Sequence, residues 1–265
     1  MSLRIQNNVE ALTAHRSLNQ TSDKIAKSME RLSSGFRINR AADDAAGLAI
    51  SERMRSQVRG LAQTSRNIQD GVSLVQTAEG NLDEVHSMLQ RVRELAVQYK
   101  NGTLSASDQA AIQTEVNQLA SEIERIGTSA KFNGITLLAT AGSVTFQVGT
   151  NDADSIAVST ISLGASVGAF TTLSGAGAIS AIDAAITAVS SARATFGAAQ
   201  NRLEHSLSAT AVYRENLVAA ESRIRDVDMA EEMVELTKNQ SLQQAGTSML
   251  SQANQAPQGV LSLIR

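Results

Sequence analysis

DAAGLAISERMRSQVRGLAQTSRNIQDGVSLVQTAEGNLDEVHSMLQRVRELAVQY, from Asp44 to Tyr99, is the stretch that decides the fold. Its large apolar residues, Ile50, Met54, Leu61, Ile68, Val72, Val75, Leu82, Val85, Leu89, Val92 and Leu95, keep spacings close to 3, 4 and 7. That period places them along one stripe of a helix. At 1.5 Å per residue the helix would be roughly 80 Å long. Few compact domains hold such an element; a rod or a bundle does. Gly60, Gly71 and Gly80 interrupt it. Each weakens a helix by about 1 kcal/mol relative to Ala, and together they read as points of close contact or of a bend.

Upstream, residues 3–33 read as a second amphipathic helix. Ile5, Val9, Leu12, Leu18, Ile25, Met29 and Leu32 make a near-heptad stripe, interrupted by His15 and Ser22. Ser33-Ser34-Gly35 breaks the pattern, with Gly35 as the expected C-terminal cap. Downstream, Asn101-Gly102 predicts a turn. Ser105 to Asp108 resembles a capping box, with Asp in place of the usual Glu, opening a third helix that ends near Gly127. Ile112, Val116, Leu119, Ile123 and Ile126 are its apolar face.

The middle changes character, with no Lys or Arg between Lys131 and Arg193. Val144 to Val148 and Ser155 to Val158 alternate around a turn at Gly149 to Asp154, which predicts a β-hairpin. Residues 160–178 read as a loop. Helical periodicity returns at Ile179 and continues through Ile182, Ile186, Val189, Phe196, Leu203, Leu207, Leu217, Ile224 and Val227. A last helix is expected from Met229 to about Asn254, ended by Pro257, the chain's single proline.

Composition narrows the function. Aromatic residues make up 3% of the chain, with no Trp, so Ala, Leu, Ile and Val must fill the core. Large rings normally supply much of a compact core, and thin helical bundles need few. The net charge is -3 and the basic residues form no run, which argues against nucleic-acid binding. No apolar run approaches the roughly 18 residues that cross a bilayer. Residues 1–20 lack the apolar core of a secretory signal, so the chain is expected to stay in the cytosol or to leave by a route that reads another signal. With no Cys, disulfides and thiolate metal sites are excluded.

Candidate chemistry is sparse. His15, His86 and His205 are isolated, and none falls in a recognisable metal motif. Asn151 to Asp154 lacks the Gly and distal Glu of a calcium loop and reads as a hairpin turn. Asp43 and Asp44 sit where a helix begins, and acidic residues there suit its dipole rather than catalysis. No catalytic residue, metal or cofactor is expected.

The two ends point to assembly. Burying a stripe residue is worth about 1.5–3 kcal/mol, and ordering each backbone residue costs about 1–2 kcal/mol. Seven stripe residues in a helix of thirty-odd leave it marginal alone, so further burial must come from other chains. The residues expected to carry self-association are Ile5, Val9, Leu12, Leu18, Ile25, Met29, Leu32, Met233, Leu236, Met249, Leu250, Leu261 and Ile264. The fold expected is mainly α, a long antiparallel helical rod or coiled-coil bundle with a small β-hairpin region.

Several long motifs carry a family resemblance. RLSSGFRINRAADDAAGLAI at Arg31 to Ile50 resembles the flagellin N-terminal signature, and so does LQRVRELAVQ at Leu89 to Gln98. FNGITLL at Phe132 to Leu138 is similar to the start of the flagellin β-hairpin region. SLQQAG from Ser241 and APQGVLSLIR from Ala256 to Arg265 resemble the flagellin C-terminus. The resemblance covers about residues 1–140 and 180–265.

The resemblance implies an inner layer of paired terminal helices, D0, and an outer helical layer with a β-hairpin, D1. Mapped here, residues 1–43 are the N-terminal D0 helix and its connecting spoke. Residues 44–178 are the N-terminal part of D1, 179–226 the C-terminal D1 helix, and 227–265 the C-terminal D0 helix. The short middle implies that outer domains are missing. The implied function is the structural, non-enzymatic subunit of the extracellular bacterial flagellar filament, used for swimming motility. Implied partners are further copies of itself, hook-associated junction and cap proteins, a flagellin export chaperone and the flagellar type III export apparatus. The resemblance also implies recognition by Toll-like receptor 5 through Arg91 and Leu95 with Glu115. A hook–filament junction protein of the same superfamily is the nearest alternative, and an enzyme or signalling coiled coil is the rival from another class.

Overall fold

The computed structural model describes residues 8–164, 172–175 and 177–264, with side chains through residue 255. The described elements are α1 (Val9–Ser34), α2 (Ala45–Tyr99), α3 (Ala106–Ser129), β1 (Lys131–Phe132), β2 (Ile135–Thr136), β3 (Gly142–Gln147), β4 (Ser155–Thr160), α4 (Ala178–Arg225) and α5 (Met229–Ile264). Part of the loop read at 160–178 therefore falls outside the described residues, as do residues 3–7 of the first helix expected at 3–33. The chain divides into two compact units, Met1–Ser56 with Asn216–Arg265, and Gln57–Glu215. Both divisions fall inside helices, α2 and α4, rather than at the breaks between helices.

The ends of the helices follow local chemistry. The Asn8 side chain accepts the Ala11 N–H at 3.0 Å and opens α1. Gly35 closes it at φ 74°, a left-handed conformation that a side chain would strain. The Asp44 carboxylate accepts the Gly47 N–H at 2.8 Å where α2 begins. Before α3 the capping box forms with the shorter Asp108. Ser105 Oγ accepts the Asp108 N–H, and Asp108 Oδ2 accepts the Ser105 N–H at 3.1 Å. The Ser105 hydroxyl, donating to Asp108 Oδ2 at 2.7 Å, holds that carboxyl below its usual pKa, with the Ser105 N–H adding to the effect.

The second unit is a helical bundle closed by two hairpins. On α2 the inward positions are Leu61, Thr64, Ile68, Gly71, Val75, Ala78, Leu82, Val85, Leu89, Val92 and Ala96, alternating by 3 and 4. This is a heptad seam, and small residues occupy several of its places. α4 is more regular. Ala178, Ala185, Ala192 and Ala199 alternate with Ile182, Val189, Phe196 and Leu203, all buried. Small beside large at every turn lets facing helices interdigitate. On α3 Ile112, Val116, Ala120, Ile123 and Gly127 are buried, while Leu119 and Ile126 pack at the edge of the core.

β3 and β4 pair antiparallel from Gly142 opposite Thr160 to Gln147 opposite Ser155. Ile156, Val158 and Thr160 turn inward in the period-2 pattern of a half-buried strand. The hairpin seats on α2 where glycine leaves room. A Cβ on Gly71 would lie 3.2 Å from the Phe146 ring, and one on Gly60 would lie 3.0 Å from Thr150. Gly80 faces open space. Gly60 thus admits the sheet, and Gly71 admits both the sheet and, through Leu203 at 3.3 Å, the helix α4. β1 and β2 form a tighter hairpin around Asn133-Gly134, both at positive φ, as a two-residue primed turn requires.

One expectation is corrected. Pro257 does not end the last helix, since α5 runs through it to Ile264. A proline inside a helix leaves the carbonyl four residues back without its N–H donor. Here that carbonyl is Ala253, and Asn8 Nδ2 donates to it at 2.8 Å. The lost bond is replaced from α1. Leu95 of the α2 stripe is 2% exposed in the bundle core, whereas Arg91, four residues earlier, is exposed. Four residues along a helix still turn a side chain by about 40°, and here that crosses the core boundary.

Candidate interaction surface of the terminal helices

Within the first unit, α1 and α5 pack against each other over most of their described length. The inward positions of α1 are Ala11, Ala14, Leu18, Thr21, Ile25, Ser28 and Leu32. Those of α5 are Glu232, Leu236, Asn239, Gln243, Gly246, Leu250 and Ala253. Both sets alternate by 3 and 4, the seam of a two-helix coiled coil. Only Leu18, Ile25, Leu32, Leu236 and Leu250 are large and apolar. The rest are small or polar, so the helices approach closely but bury little grease. Gly246 sits against Leu18, where a Cβ would lie 3.4 Å from Cδ1. Asn239 is buried mid-seam, bonded to Glu235 at 3.3 Å. A buried Asn at such a position sets register at a cost in stability.

The larger apolar side chains face away. Val9, Leu12 and Met29 on α1 are more than half exposed, and so are Val234, Leu242 and Met249 on α5. Met229 and Met233 are each 50% exposed. The sequence-predicted assembly residues therefore split. Leu18, Ile25, Leu32, Leu236 and Leu250 fill the intramolecular seam, whereas Val9, Leu12, Met29, Met233 and Met249 look outward. Ile5 and the side chains of Leu261 and Ile264 lie outside the described residues. Val9, Ala14, Leu242, Ala245 and Met249 line an open groove of about 680 Å³ along the helix pair, with Glu10 its one charged residue. The sequence reading missed Val234 and Leu242, because each falls off the heptad that it followed.

Where α1 leads toward α2 and α4 toward α5, the two connections run side by side. Phe36 pairs with Asp226 in an antiparallel bridge. The Arg37 N–H donates to Arg225 O at 2.7 Å and the Val227 N–H to Gly35 O at 3.1 Å. Arg225 lies 4.8 Å over the Phe36 ring and reaches Glu52 at 2.6 Å. Arg31 pairs with the buried Glu232 at 3.3 Å. Asp43 accepts from Lys27 Nζ at 2.7 Å and from the backbone of Asn39 and Arg40. The Lys27 hydrogen bond above all, with those amides, lowers its pKa to about 2. The carboxylates of Asp43 and Asp44 are thus both engaged in holding backbone.

In the second unit, Arg91 Nη2 contacts Glu115 Oε1 at 3.0 Å across α2 and α3, and Arg91 Nη1 contacts Glu94 Oε2 at 3.2 Å. This exposed trio carries two of the three residues expected as a receptor epitope. Among the described residues no cluster of His, Asp and Glu could hold a metal ion, and no helix is long and apolar enough to cross a membrane.

Comparison with known proteins bears on both regions. Residues 5–143 match the bacterial flagellin N-terminal helical region and residues 179–264 the bacterial flagellin C-terminal helical region. A flagellin of Halalkalibacterium halodurans is 53% identical, the alignment covering 98% of this chain and 99% of that one. The flagellar filament 33 kDa core protein of Treponema phagedenis is 48% identical, with 98% and 99% covered. The crystal structure of Bacillus cereus flagellin is similar at a TM-score of 0.51 and 33% identity, covering 54% of this chain and 88% of that one.

Proposed function

The chain belongs to the bacterial flagellin family, and from that premise we propose that it is the structural subunit that self-assembles into a flagellar filament serving swimming motility. One observation carries the mechanism. The terminal helix pair keeps mostly small and polar residues inside, with five large apolar ones, and presents eight large apolar residues to solvent. A pair built this way gains more from neighbours than from itself. Eight side chains, Val9, Leu12, Met29, Met229, Met233, Val234, Leu242 and Met249, are half or more exposed. Covering the remaining half of each is worth about 1 kcal/mol apiece. The residues that carry self-assembly are then the outward set, joined on the sequence pattern alone by Ile5, Leu261 and Ile264. The seam residues Leu18, Ile25, Leu32, Leu236 and Leu250 set the geometry that presents them.

Seeded polymerisation of the purified chain tests this. Wild type should grow micrometre filaments from seeds. Leu12→Glu combined with Leu242→Glu should raise the critical concentration by at least about tenfold, because two charges would have to enter a covered apolar contact. The bundle of the second unit should melt as before. Growth of the double variant at the wild-type rate would refute the reading. The same assay separates a filament subunit from a hook–filament junction protein, which would not extend a seed indefinitely, and the names of the relatives weigh for the subunit.

Finer parts of the reading follow from family membership. The chain is secreted through the flagellar type III export apparatus with an export chaperone, is added beneath a cap protein, and joins the hook through junction proteins. Its role is structural rather than catalytic. Toll-like receptor 5 recognises the α2–α3 ridge through Arg91 and Glu115, with Leu95 buried in the same helix. Arg91→Ala should weaken receptor activation with little change in stability, since an exposed ion pair contributes about 0–1 kcal/mol. Unchanged activation by that variant would remove the pair from the epitope.

A further inference from the structure

The chain has seven methionines and neither Cys nor Trp, so the thioethers are its most easily oxidised side chains. They are unevenly placed. Met29, Met229, Met233 and Met249 are 50–65% exposed, and all four lie on outward faces of α1 and α5. Met54 and Met88 are only partly exposed. Met229 and Met233 are one turn apart on the same face of α5, and Met249 lines the groove with Val9.

We propose that these four methionines form an oxidation-sensitive control on polymerisation, open in the free subunit and closed once copies cover them. The proposal rests on the reading that the outward faces of α1 and α5 join copies. The co-reactant is a peroxide. The sulfur lone pair attacks one peroxide oxygen and the O–O bond breaks. That oxygen stays on sulfur as the sulfoxide, and the other leaves as water after taking up the transferred proton. Sulfur is oxidised by two electrons and the peroxide is reduced by two. The product exchanges a flexible apolar side chain for a polar one. In free solution the S=O dipole is hydrated and the subunit tolerates it. In a copy–copy contact that dipole must shed water without a designed donor, which disfavours assembly.

Order of addition tests the proposal on the full-length chain. Hydrogen peroxide is given either to free subunits before seeding or to finished filaments. Peptide mass spectrometry reads the one-oxygen gain at each methionine. Free subunits should oxidise at all four positions and then elongate seeds more slowly, by about tenfold for each sulfoxide that must be covered. Finished filaments should be protected at the same positions. A variant carrying Met29→Leu, Met229→Leu, Met233→Leu and Met249→Leu should elongate at one rate with and without peroxide, whatever that rate is, because it has no thioether left on these faces. A second measurement needs no variant. Oxidised and unoxidised subunits are mixed with seeds, and the sulfoxide forms should be depleted from the pelleted filaments. Equal sulfoxide content in pellet and supernatant would overturn the proposal, and so would a leucine variant as peroxide-sensitive as wild type. Untreated wild type that failed to extend seeds would instead sink the assembly reading on which the proposal stands.

Discussion

Replacing Asn8 and Pro257, singly and together, asks whether the two ends of the chain are tied by one hydrogen bond. The Asn8 side chain has two jobs. Its Oδ1 accepts the Ala11 N–H, capping α1, and its Nδ2 donates to the Ala253 carbonyl at 2.8 Å. Asn8→Ser keeps a capping oxygen, so the cap changes little. It removes the donor, and Ala253 O, already without its helical partner because residue 257 is proline, loses its replacement. The cost should be about 1 kcal/mol, rising if water cannot reach the half-buried carbonyl. In a Pro257→Ala background the new N–H at 257 serves Ala253 O itself, and Asn8→Ser should cost almost nothing. The critical concentration for seeded elongation converts this to a ratio. About 1 kcal/mol per subunit is roughly a fivefold rise with Pro257 present and no rise once it is replaced by alanine. The same factor in both backgrounds would show that Asn8 acts only as a cap and that Pro257 is unrelated to it.

Three more outcomes are expected. Gly80→Ala, which meets open space, should raise the melting temperature in circular dichroism, through a gain of up to about 1 kcal/mol in helix stability. Gly71→Leu should lower it, through a loss of about 1–3 kcal/mol of stability, because the hairpin ring of Phe146 and the Leu203 side chain occupy the space. Asp43 has its carboxyl lowered to about 2, so its contribution is present above the unfolded value near 4 and is lost as pH falls toward 2. Acid titration of filament stability should therefore show Asp43→Asn closing on wild type across that window, and a constant gap would remove Asp43 from the acid response.

The large apolar residues were legible in the sequence because they carry the periodicity. Leu61, Ile68, Val75, Leu82, Val85, Leu89 and Val92 appear both in the spacing and in the core. Capping signals were equally plain, since Gly35 and the Ser105–Asp108 box act through their neighbours in the chain. Small seam residues were not legible. Ala178, Ala185, Ala192 and Ala199 contribute little hydrophobic signal, yet they set how closely the helices approach. In α1 the stripe mixed two faces. Leu18, Ile25 and Leu32 face α5, while Val9, Leu12 and Met29 do not. A helix with partners on two sides has no single apolar direction, and a one-stripe search blends them. Pro257 was read as a terminator because its compensation comes from Asn8, which lies far away in sequence.

The heptad of α4 has its own consequence. Alanine returns every seventh residue, and a large residue returns every seventh between them. Sliding such a helix by seven places would set like against like almost everywhere, so the alternative pairings are nearly degenerate. Phe196 breaks the degeneracy. It is the only ring among Ile182, Val189, Phe196 and Leu203, and where it sits it is 1% exposed. In a slipped arrangement the ring would meet space shaped for valine or leucine and leave a void behind. A single aromatic thus serves as the index mark that tells an otherwise repetitive helix where to stop.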